Sequence, residues 1–265
     1  MTETADANDR KICDALRGVA LAAGAEIMAI YRTDFSIDEK ADASPVTEAD
    51  GRAEAIIIAG LNELSPATPI LAEEAASAGH APALGDEFFL VDPLDGTREF
   101  INRNGEFTVN IALIRNGAPV IGVVYAPAAG RLYEGVVGDG ARRYDVDEKW
   151  RCGPPTPIQT ADNCPRPRAV ASRSHRSPET DAFLKDNDCD DCVSAGSSLK
   201  FCLIAEGAAH LYPRFGRTME WDTGAGQAVL EAAGGRVRVY PSGEPLRYNK
   251  RDRGFDNPHF IASCE

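Results

Sequence analysis

The stretch DPLDGT, which begins at Asp92, places two carboxylates around a sharp turn at the end of an apolar run. Pro93 restricts the backbone there, and Gly96 permits a tight turn. Asp92, the carbonyl oxygen of Leu94 and Asp95 can therefore face one point. Hard cations such as Mg²⁺ take oxygen ligands of this kind. The stretch predicts a cation site, because a positive charge would offset the mutual repulsion of the two aspartates.

Thr97 follows this turn and opens a short predicted helix, TREFI. The first N–H groups of a helix have no partner within the helix, and they favour anions such as phosphate. A cation and a phosphate group would therefore meet beside Thr97.

Further acidic residues follow an apolar strand or start a helix in the same way. Glu73 and Glu74 come after PILA, Asp50 begins a predicted helix, and Asp222 lies in EWDTGAG. Each has a purely structural alternative. Thr47 and Asp50 have the spacing of a capping box, and a pair of glutamates after a strand is often solvent-exposed. The chemical interpretation depends on the combination of these residues with DPLDGT.

The composition excludes some classes of partner. The chain has 265 residues and a formal net charge of −13, which argues against nucleic-acid polymers, since clustered Lys and Arg bind phosphate backbones. The polar start MTETADANDRK has no leader-like apolar region, and no apolar run approaches the roughly 20 residues that span a bilayer. We therefore expect a cytoplasmic protein, with peripheral association with a membrane left open.

The seven cysteines are an odd number, so we expect reduced thiols rather than a disulfide framework. Cys189 and Cys192 have the spacing of a zinc or redox pair. The sequence offers no second pair to complete such a site.

Hydrophobic periodicity predicts helices over residues 9–31 and 47–64. Short strands are predicted over residues 69–72, 88–91, 108–114, 119–125 and 131–137. Asn116 and Gly117 predict a hairpin.

The segment 152–167 is rich in proline and polar residues, which predicts a connection between two lobes. Beyond it, predicted strands and helices alternate, as in α/β folds. We expect an N-terminal α+β lobe over residues 1–151, with most of the cation ligands. We expect a C-terminal α/β lobe over residues 152–265, with substrate contacts and Asp222.

Two motifs resemble the signatures of a known family. DPLDGTREF and the later WDTGAG are similar to those of the Mg²⁺-dependent, lithium-sensitive phosphatases, which include inositol monophosphatases, fructose bisphosphatases and bisphosphate nucleotidases. SPVTEAD and LAEE precede them in the family's order, and the resemblance covers nearly the whole chain. It implies a layered αβαβα sugar-phosphatase fold with the site between two lobes. Gly224 departs from the pattern, because the family usually has alanine there.

The resemblance implies roles for the acidic residues. It places two or three Mg²⁺ ions on oxygen atoms of five residues: Glu73, Asp92, Leu94, Asp95 and Asp222. Glu74 would lie nearby. Thr97 and Asp50 would be the pair that orients and helps to deprotonate the attacking water. Two metal ions about 3.5–4 Å apart can generate a nucleophile and stabilise the leaving oxygen of an in-line displacement.

The resemblance also implies a set of substrate contacts drawn from both lobes: Glu73, Leu94, Asp95, Gly96, Thr97, Ser197, Ser198, Lys200, Arg214 and Asp222. GSSLKF begins a predicted helix, which suits a second phosphate near Lys200. Arg173 and Arg217 are further cations, and His175 is a further polar residue in a loop. For each of these basic side chains the alternative is an exposed surface group.

Several segments narrow the resemblance to bacterial 3′(2′),5′-bisphosphate nucleotidases: REFINRNGEFTVNIALI, GVVYAP, SRSH and GSSLKFCLIAEGAAHLYPRFG. We therefore expect a phosphomonoesterase, monomer or homodimer, that removes the 3′-phosphate of adenosine 3′,5′-bisphosphate in sulfur assimilation. Its sulfated precursor, 3′-phosphoadenylyl sulfate, is a second candidate substrate. Inositol monophosphatase activity is an alternative that would use the same ligands. A sensor that binds metal and nucleotide is another, although pure binding does not require a water-activating pair.

Overall fold

The computed structural model describes residues 8–39, 45–162, 166–171, 177–189 and 191–265. The α-helices in these ranges are α1 (Asp9–Tyr31), α2 (Glu48–Leu64), α3 (Glu73–Ser77), α4 (Thr97–Ile101), α5 (Pro178–Asp186), α6 (Leu199–Ala205) and α7 (Gly224–Ala232). The β-strands are β1 (Ile37–Glu39), β2 (Pro45–Thr47), β3 (Ile70–Ala72), β4 (Glu87–Asp95), β5 (Thr108–Arg115), β6 (Ala118–Ala126), β7 (Arg131–Val136), β8 (Gly140–Asp145), β9 (Thr156–Ile158), β10 (Ala169–Ala171), β11 (Cys192–Ser194), β12 (Leu211–Arg214), β13 (Arg236–Val239) and β14 (Phe260–Ser263). A short 3₁₀ helix covers Arg251–Arg253.

Helices α1 and α2 form because apolar residues recur at helical spacing along one face of each. Leu16 and Ile27 of α1 and Ile57 and Leu61 of α2 are fully buried on these faces. The two helices pack on each other and on the sheet that contains β4 and β6. Both predicted helices are confirmed, and Thr47 is the N-cap of α2. Within the described ranges, no helix combines the length and the apolarity that crossing a bilayer would require.

Strands β3 to β9 form a seven-stranded sheet in chain order, which we call the first sheet. β3 runs parallel to β4, and each later pair is antiparallel. Asn116 and Gly117 join β5 to β6 with φ angles of 52° and 71°. Because an Asn-Gly hairpin turn has positive φ at both central residues, the predicted hairpin is confirmed.

Both faces of the first sheet are buried, since successive side chains of a strand point to opposite faces. On one face, Phe89 and Val91 belong to the core formed with α1 and α2. On the other face, Phe88 and Leu90 belong to the core formed with α6 and α7. The apolar run that leads into DPLDGT is therefore an interior strand of the sheet, with β3 on one side and β5 on the other. Its side chains are buried alternately in the two cores.

Strands β10 to β14 form a five-stranded second sheet in the order β11-β10-β12-β14-β13. Val170 of β10 belongs to the core with α6 and α7, whereas Ala169 packs with Leu184 of α5. The layers therefore run helices, sheet, helices, sheet, helix. This arrangement confirms the layered α/β fold that the resemblance implied.

Helix α7 lies far along the chain but packs directly on the first sheet. Gly122 of β6 and Gly135 of β7 are paired across their strands. A Cβ atom on Gly122 would lie 2.3 Å from the carbonyl oxygen of Ala225, and one on Gly135 would lie 2.7 Å from the Cα atom of Val229. The two glycines therefore allow the helix backbone to approach the sheet closely. The close packing of α7 affects the predicted cation site, because Asp222 lies just before α7.

Two segments differ from the sequence-based interpretation. The strand predicted over 88–91 continues to Asp95, because its ladder with β5 resumes after a register shift between Asp92 and Asp95. The segment 152–167 contributes β9, which pairs with β8 and extends the first sheet. The division into lobes at residues 151 and 152 stays a prediction.

Candidate active site

The ends of β3 and β4 bring acidic residues together. Ala72 of β3 pairs with Val91 of β4 in parallel register, so Glu73 and Asp92 emerge side by side at the same edge of the sheet. Their carboxyl groups lie within hydrogen-bonding reach of each other. Asp95 follows at the end of β4, after the register shift.

Asp92 is buried among other carboxylates. It is 1% exposed, and its Oδ1 accepts a hydrogen bond from the N–H of Leu94 at 3.0 Å. Burial raises the pKa of Asp92 well above its usual value, and the negative charges of Glu73, Asp95 and Asp222 raise it further.

Asp222 joins this group from the turn before α7. Its Oδ2 accepts a hydrogen bond from the N–H of Met219 at 2.8 Å. Burial raises the pKa of Asp222 well above its usual value, and repulsion from Asp95 and Glu73 acts in the same direction. We define Glu73, Asp92, Asp95 and Asp222 as the acidic cluster. Its members come from the ends of β3 and β4 and from the turn before α7, and their charges interact.

The acidic cluster suits a hard cation. Burial and the neighbouring negative charges raise the pKa of Asp92 and of Asp222, and a multivalent cation would remove that repulsion while taking the oxygen ligands it prefers. Among the described residues, no group of three or more His, Cys, Asp or Glu side chains already stands in finished metal-ligand geometry. The suitability of the acidic cluster for a cation therefore rests on the chemistry of its oxygen donors and not on a preformed coordination geometry.

Asp50 and Thr97 come from different elements and meet beside the cluster. The Thr97 hydroxyl donates a hydrogen bond to Oδ1 of Asp50 at 3.2 Å. The N–H and the hydroxyl of Thr47 both donate to Oδ2 of Asp50, each at 2.8 Å. The capping box is thus present, and the same buried carboxylate also accepts the hydroxyl of Thr97.

A sharp reversal of the chain sets this contact. Gly96 has a φ angle of 92°, in the left-handed region that L side chains rarely adopt. A Cβ atom there would also lie 3.3 Å from the carbonyl oxygen of Glu106. The carbonyl oxygen of Leu94 lies 3.4 Å from the Thr97 hydroxyl. The turn therefore directs Leu94, Gly96 and Thr97 towards one region.

A cavity of about 300 Å³ opens beside the acidic cluster. Predicted site residues that line it are Glu73, Asp95, Gly96, Thr97, Ser197, Lys200, Arg214, Arg217 and Asp222. Four further predicted site residues are buried behind this lining: Asp50, Asp92, Leu94 and Ser198. The structure thus brings together the residues that were expected from the sequence to be catalytic, cation-binding and substrate-binding, as far as they fall within the described ranges.

Lys200 is the buried cation of the cavity. It is 6% exposed, and its Nζ donates a hydrogen bond to the carbonyl oxygen of Ser197. Burial lowers the pKa of Lys200 to about 8, although the charge of Asp95 opposes this effect. An anion bound in the cavity would favour the charged amine.

Two of the arginines that line the cavity, Arg214 and Arg217, differ in their partners. Arg214 donates from Nη2 to the carbonyl oxygen of Arg217 at 2.8 Å, whereas its buried Nε has no hydrogen-bond acceptor within the described part of the chain. Arg217 donates from Nε to Asp256 at 3.1 Å, and its side chain is largely exposed. Arg214 therefore has a donor available for a ligand, and Arg217 is an ion-paired residue of the rim.

Sequence reasoning missed Glu54, which lies one turn after Asp50 on the buried face of α2. Its carboxylate accepts hydrogen bonds from the N–H groups of Glu74 and Ala75, at 2.8 and 2.9 Å. These bonds hold the start of α3 and thereby the backbone of Glu73. The sequence did contain one signal for Glu54: it is an acidic residue four positions after Asp50, and residues at that spacing share a helix face.

The remaining predicted residues lie elsewhere. Arg173 and His175 fall in residues 172–176, outside the described residues. Glu74 contacts Glu54 through its backbone and stands outside the cavity lining. Cys189 packs with Leu184 on the α5 side of the second sheet.

Residues 8–260 match the model of the inositol monophosphatase family. The chain belongs to this family, whose members are metal-dependent phosphatases that generally use Mg²⁺. The resemblance stated from the motifs is therefore confirmed.

Particular members of the family are closely similar to this chain. The 3′(2′),5′-bisphosphate nucleotidase CysQ of Escherichia coli K12 is 46% identical over 245 residues, which cover 91% of this chain and 95% of that protein. The crystal structure of CysQ from Bacteroides thetaiotaomicron has 43% identity and a TM-score of 0.80, covering 96% of this chain and 97% of that one. An inositol monophosphatase from Anabaena has 25% identity and a TM-score of 0.72, covering 98% and 92%.

Proposed function

We propose that this protein is a Mg²⁺-dependent 3′(2′),5′-bisphosphate nucleotidase, which removes the 3′-phosphate of adenosine 3′,5′-bisphosphate to give AMP and phosphate. One observation carries the proposal: Thr97, paired with Asp50, lines a cavity that is also lined by residues of the acidic cluster and by buried Lys200. The similarity to proteins named as nucleotidases supports the choice of nucleotide. We further propose 3′-phosphoadenylyl sulfate as a second substrate, and a cytoplasmic role in sulfur assimilation.

The acidic cluster, with the carbonyl oxygen of Leu94, would hold two or three Mg²⁺ ions. When bound, these ions would supply Lewis-acid stabilisation to the phosphoryl oxygens and to the leaving oxygen. Glu54 would act through the backbone of α3, because it holds the segment that presents Glu73.

Thr97 and Asp50 would orient the attacking water. Because the Thr97 hydroxyl donates to Asp50, its oxygen lone pairs are left to accept a hydrogen bond from water. That contact directs the water oxygen towards phosphorus, and the proton passes through Thr97 towards Asp50. As the new phosphorus–oxygen bond forms, the bond to the ribose 3′-oxygen breaks and that oxygen takes up a proton from solvent.

Lys200 and Arg214 would bind the phosphate that is not cleaved. A buried amine costs free energy unless an anion or a polar group compensates it. Burial lowers the pKa of Lys200, and the charge of Asp95 offsets this effect only in part. A second phosphate would complete the compensation, which favours a bisphosphate over a monophosphate.

The test measures phosphate release from adenosine 3′,5′-bisphosphate, 3′-phosphoadenylyl sulfate and inositol 1-phosphate, each with Mg²⁺ and with excess EDTA. We expect release from the adenosine bisphosphate in Mg²⁺, with one 5′-AMP formed per phosphate. Formation of 3′-AMP instead would contradict the assignment of the cleaved group. A higher kcat/KM for inositol 1-phosphate would favour inositol monophosphatase activity, and nucleotide binding without release from any substrate would favour a sensor.

A further inference from the structure

A chain of buried polar side chains runs behind Asp95, from the first sheet to the start of α6. Asn110 of β5 donates from Nδ2 to Oγ of Ser198 at 3.0 Å, and its Nδ2 also lies 3.4 Å from Oδ2 of Asp95. Oγ of Ser198 lies 3.2 Å from Oδ2 of Asp95 and 2.9 Å from the carbonyl oxygen of Asp222. Asn110 is 0% exposed and Ser198 is 1% exposed, so both side chains are shielded from bulk solvent.

Thr108 determines which way the amide of Asn110 points. Its hydroxyl lies 3.0 Å from Oδ1 of Asn110 and 2.6 Å from Oγ of Ser197. Since a hydroxyl can donate to an amide oxygen, Oδ1 faces Thr108 and the Nδ2 donors face Asp95 and Ser198. Oγ of Ser197 lies 2.9 Å from the backbone carbonyl oxygen of Asp95, so the side chain and the backbone of Asp95 are both held.

Burying these polar residues costs free energy, and packing against the apolar core does not offset that cost. Thr108 and Asn110 share the face of β5 that also carries Ala112 and Ile114 of the apolar core. Burying an amide and a hydroxyl there is unfavourable unless each finds a partner. The Thr108 hydroxyl finds Asn110 and Ser197. The amide of Asn110 finds the carboxylate of Asp95 and, through Ser198, the backbone of Asp222. Asp95 and Asp222 both belong to the acidic cluster.

We infer that Asn110 and Ser198 are positioning residues, which fix the carboxylate of Asp95 relative to Asp222. Asp95 ends a strand of the first sheet, and Asp222 precedes α7, so their spacing depends on how the two parts of the chain dock. Ser198 contacts both residues and lies behind the cavity lining, which distinguishes it from Ser197. The inference rests on the proposed function, since it assigns the spacing of the two aspartates to cation binding.

Ser198→Ala removes the hydroxyl without adding volume, and Asn110→Ala removes the amide donors from the other end of the chain of contacts. Each should weaken Mg²⁺ binding about 10-fold or more, the scale for residues that orient metal ligands. At saturating Mg²⁺, the KM for adenosine 3′,5′-bisphosphate should stay near the wild-type value, because both side chains are buried outside the cavity lining. For Ser198, this positioning role is an alternative to the substrate contact that the resemblance implied. A substrate contact at Ser198 would instead raise KM and leave Mg²⁺ affinity unchanged.

Tyr144→Phe is the matched control. The Tyr144 hydroxyl donates to the buried carboxylate of Glu134 at 2.9 Å. Glu134 and Tyr144 lie on β7 and β8, across the first sheet from the acidic cluster. The control therefore loses a similar buried hydroxyl–carboxylate contact and should lower Tm without changing Mg²⁺ affinity.

Mg²⁺ affinity is measured from the rise of Tm with Mg²⁺ concentration, since a ligand of the folded state stabilises it in proportion to ln(1 + [Mg²⁺]/Kd). The inference is supported if Ser198→Ala and Asn110→Ala need higher Mg²⁺ concentrations, whereas Tyr144→Phe matches wild type. Wild-type Mg²⁺ affinity in both site variants overturns it, as does a Tyr144→Phe shift of equal size. A wild-type protein whose Tm does not respond to Mg²⁺ overturns the cation part of the proposed function as well.

Discussion

The Thr97 hydroxyl donates to Oδ1 of Asp50, while Oδ2 of the same carboxylate accepts two hydrogen bonds from Thr47. One oxygen of Asp50 therefore serves the start of α2, and the other serves the cavity. The two possible roles of Asp50, helix capping and water activation, are combined in one side chain. They can be separated by mutation, because each role has its own threonine partner.

Thr97→Ala tests the role at the cavity. The variant retains the carboxylates of the acidic cluster but lacks the hydroxyl that would orient water, so kcat should fall by roughly 10²-fold or more. Thr97→Ser retains a hydroxyl and should recover most of the activity. Both variants should keep the wild-type response of Tm to Mg²⁺. If Thr97→Ala has near wild-type kcat, Thr97 has no part in the mechanism.

Thr47→Ala tests the other role. Loss of an N-cap side chain typically lowers the free energy of unfolding by about 1 kcal/mol, and the contact between Thr97 and Asp50 is left in place. Urea unfolding should therefore show a less stable protein whose kcat is within a few-fold of wild type. Asp50→Asn should lose both stability and turnover. A loss of kcat in Thr47→Ala as large as that in Thr97→Ala would show that the two roles are not separable.

Metal removal tests the acidic cluster as a whole. Excess EDTA should abolish turnover, and Mg²⁺ should restore it. Ca²⁺ should restore it poorly, since Ca²⁺ is larger and less demanding of octahedral geometry. Inhibition by lithium is a further expectation, taken from the resemblance. Full turnover in excess chelator would contradict the proposed mechanism.

Much of the fold was accessible to sequence analysis because its signals are local. Helix α1 matches residues 9–31, where the apolar spacing is regular. The turn of DPLDGT brings its own ligands together, so neighbours in sequence become neighbours in space. In contrast, β8 was missed, because GARRYD has few apolar residues and is a strand through its pairing with β7.

The contacts of Asn110 could not be predicted from the sequence in this way. Asn110 lies within TVNIALI, where a polar residue is compatible with an ordinary strand. Its partner Ser198 is 88 residues away in the chain, and the contact requires α6 and α7 to dock on the first sheet. Contacts of this kind depend on tertiary packing, which local patterns do not encode.

Lys200→Ala tests the site of the second phosphate. The variant should lower kcat/KM for adenosine 3′,5′-bisphosphate relative to 3′-AMP, which lacks the 5′-phosphate. Loss of a charged hydrogen bond is worth about 1.5–3 kcal/mol, or roughly 10- to 100-fold in this ratio. Lys185→Ala, at an exposed lysine of α5, should leave the ratio unchanged. An unchanged ratio in Lys200→Ala would remove Lys200 from substrate recognition.

The pH profile provides a second measurement of the same contact. Burial lowers the pKa of Lys200 to about 8, so the free enzyme loses this positive charge as pH rises through that value. Because kcat/KM reports groups of the free enzyme, its value for the bisphosphate should decline above about pH 8. Lys200→Arg should abolish the decline, since guanidinium stays protonated. A decline with the same midpoint in Lys200→Arg would assign it to another group.

Gly122→Ala tests whether the close seating of α7 places Asp222. The new Cβ atom would lie 2.3 Å from the carbonyl oxygen of Ala225 and 2.7 Å from the Cβ atom of Ala228, so the helix must move away from the sheet. Overpacking of this kind typically costs about 1–3 kcal/mol of unfolding free energy. Because Asp222 precedes α7, Mg²⁺ affinity should fall as well.

Gly18→Ala is the control for this substitution. A Cβ atom on Gly18 of α1 would meet nothing within 4 Å, and alanine in a helix interior is favoured over glycine by about 0.5–1 kcal/mol. Urea unfolding should therefore show Gly18→Ala as slightly more stable than wild type and Gly122→Ala as less stable. The response of Tm to Mg²⁺ should weaken in Gly122→Ala alone. If Gly122→Ala loses stability and keeps wild-type Mg²⁺ affinity, the seating of α7 stabilises the fold without setting the position of Asp222.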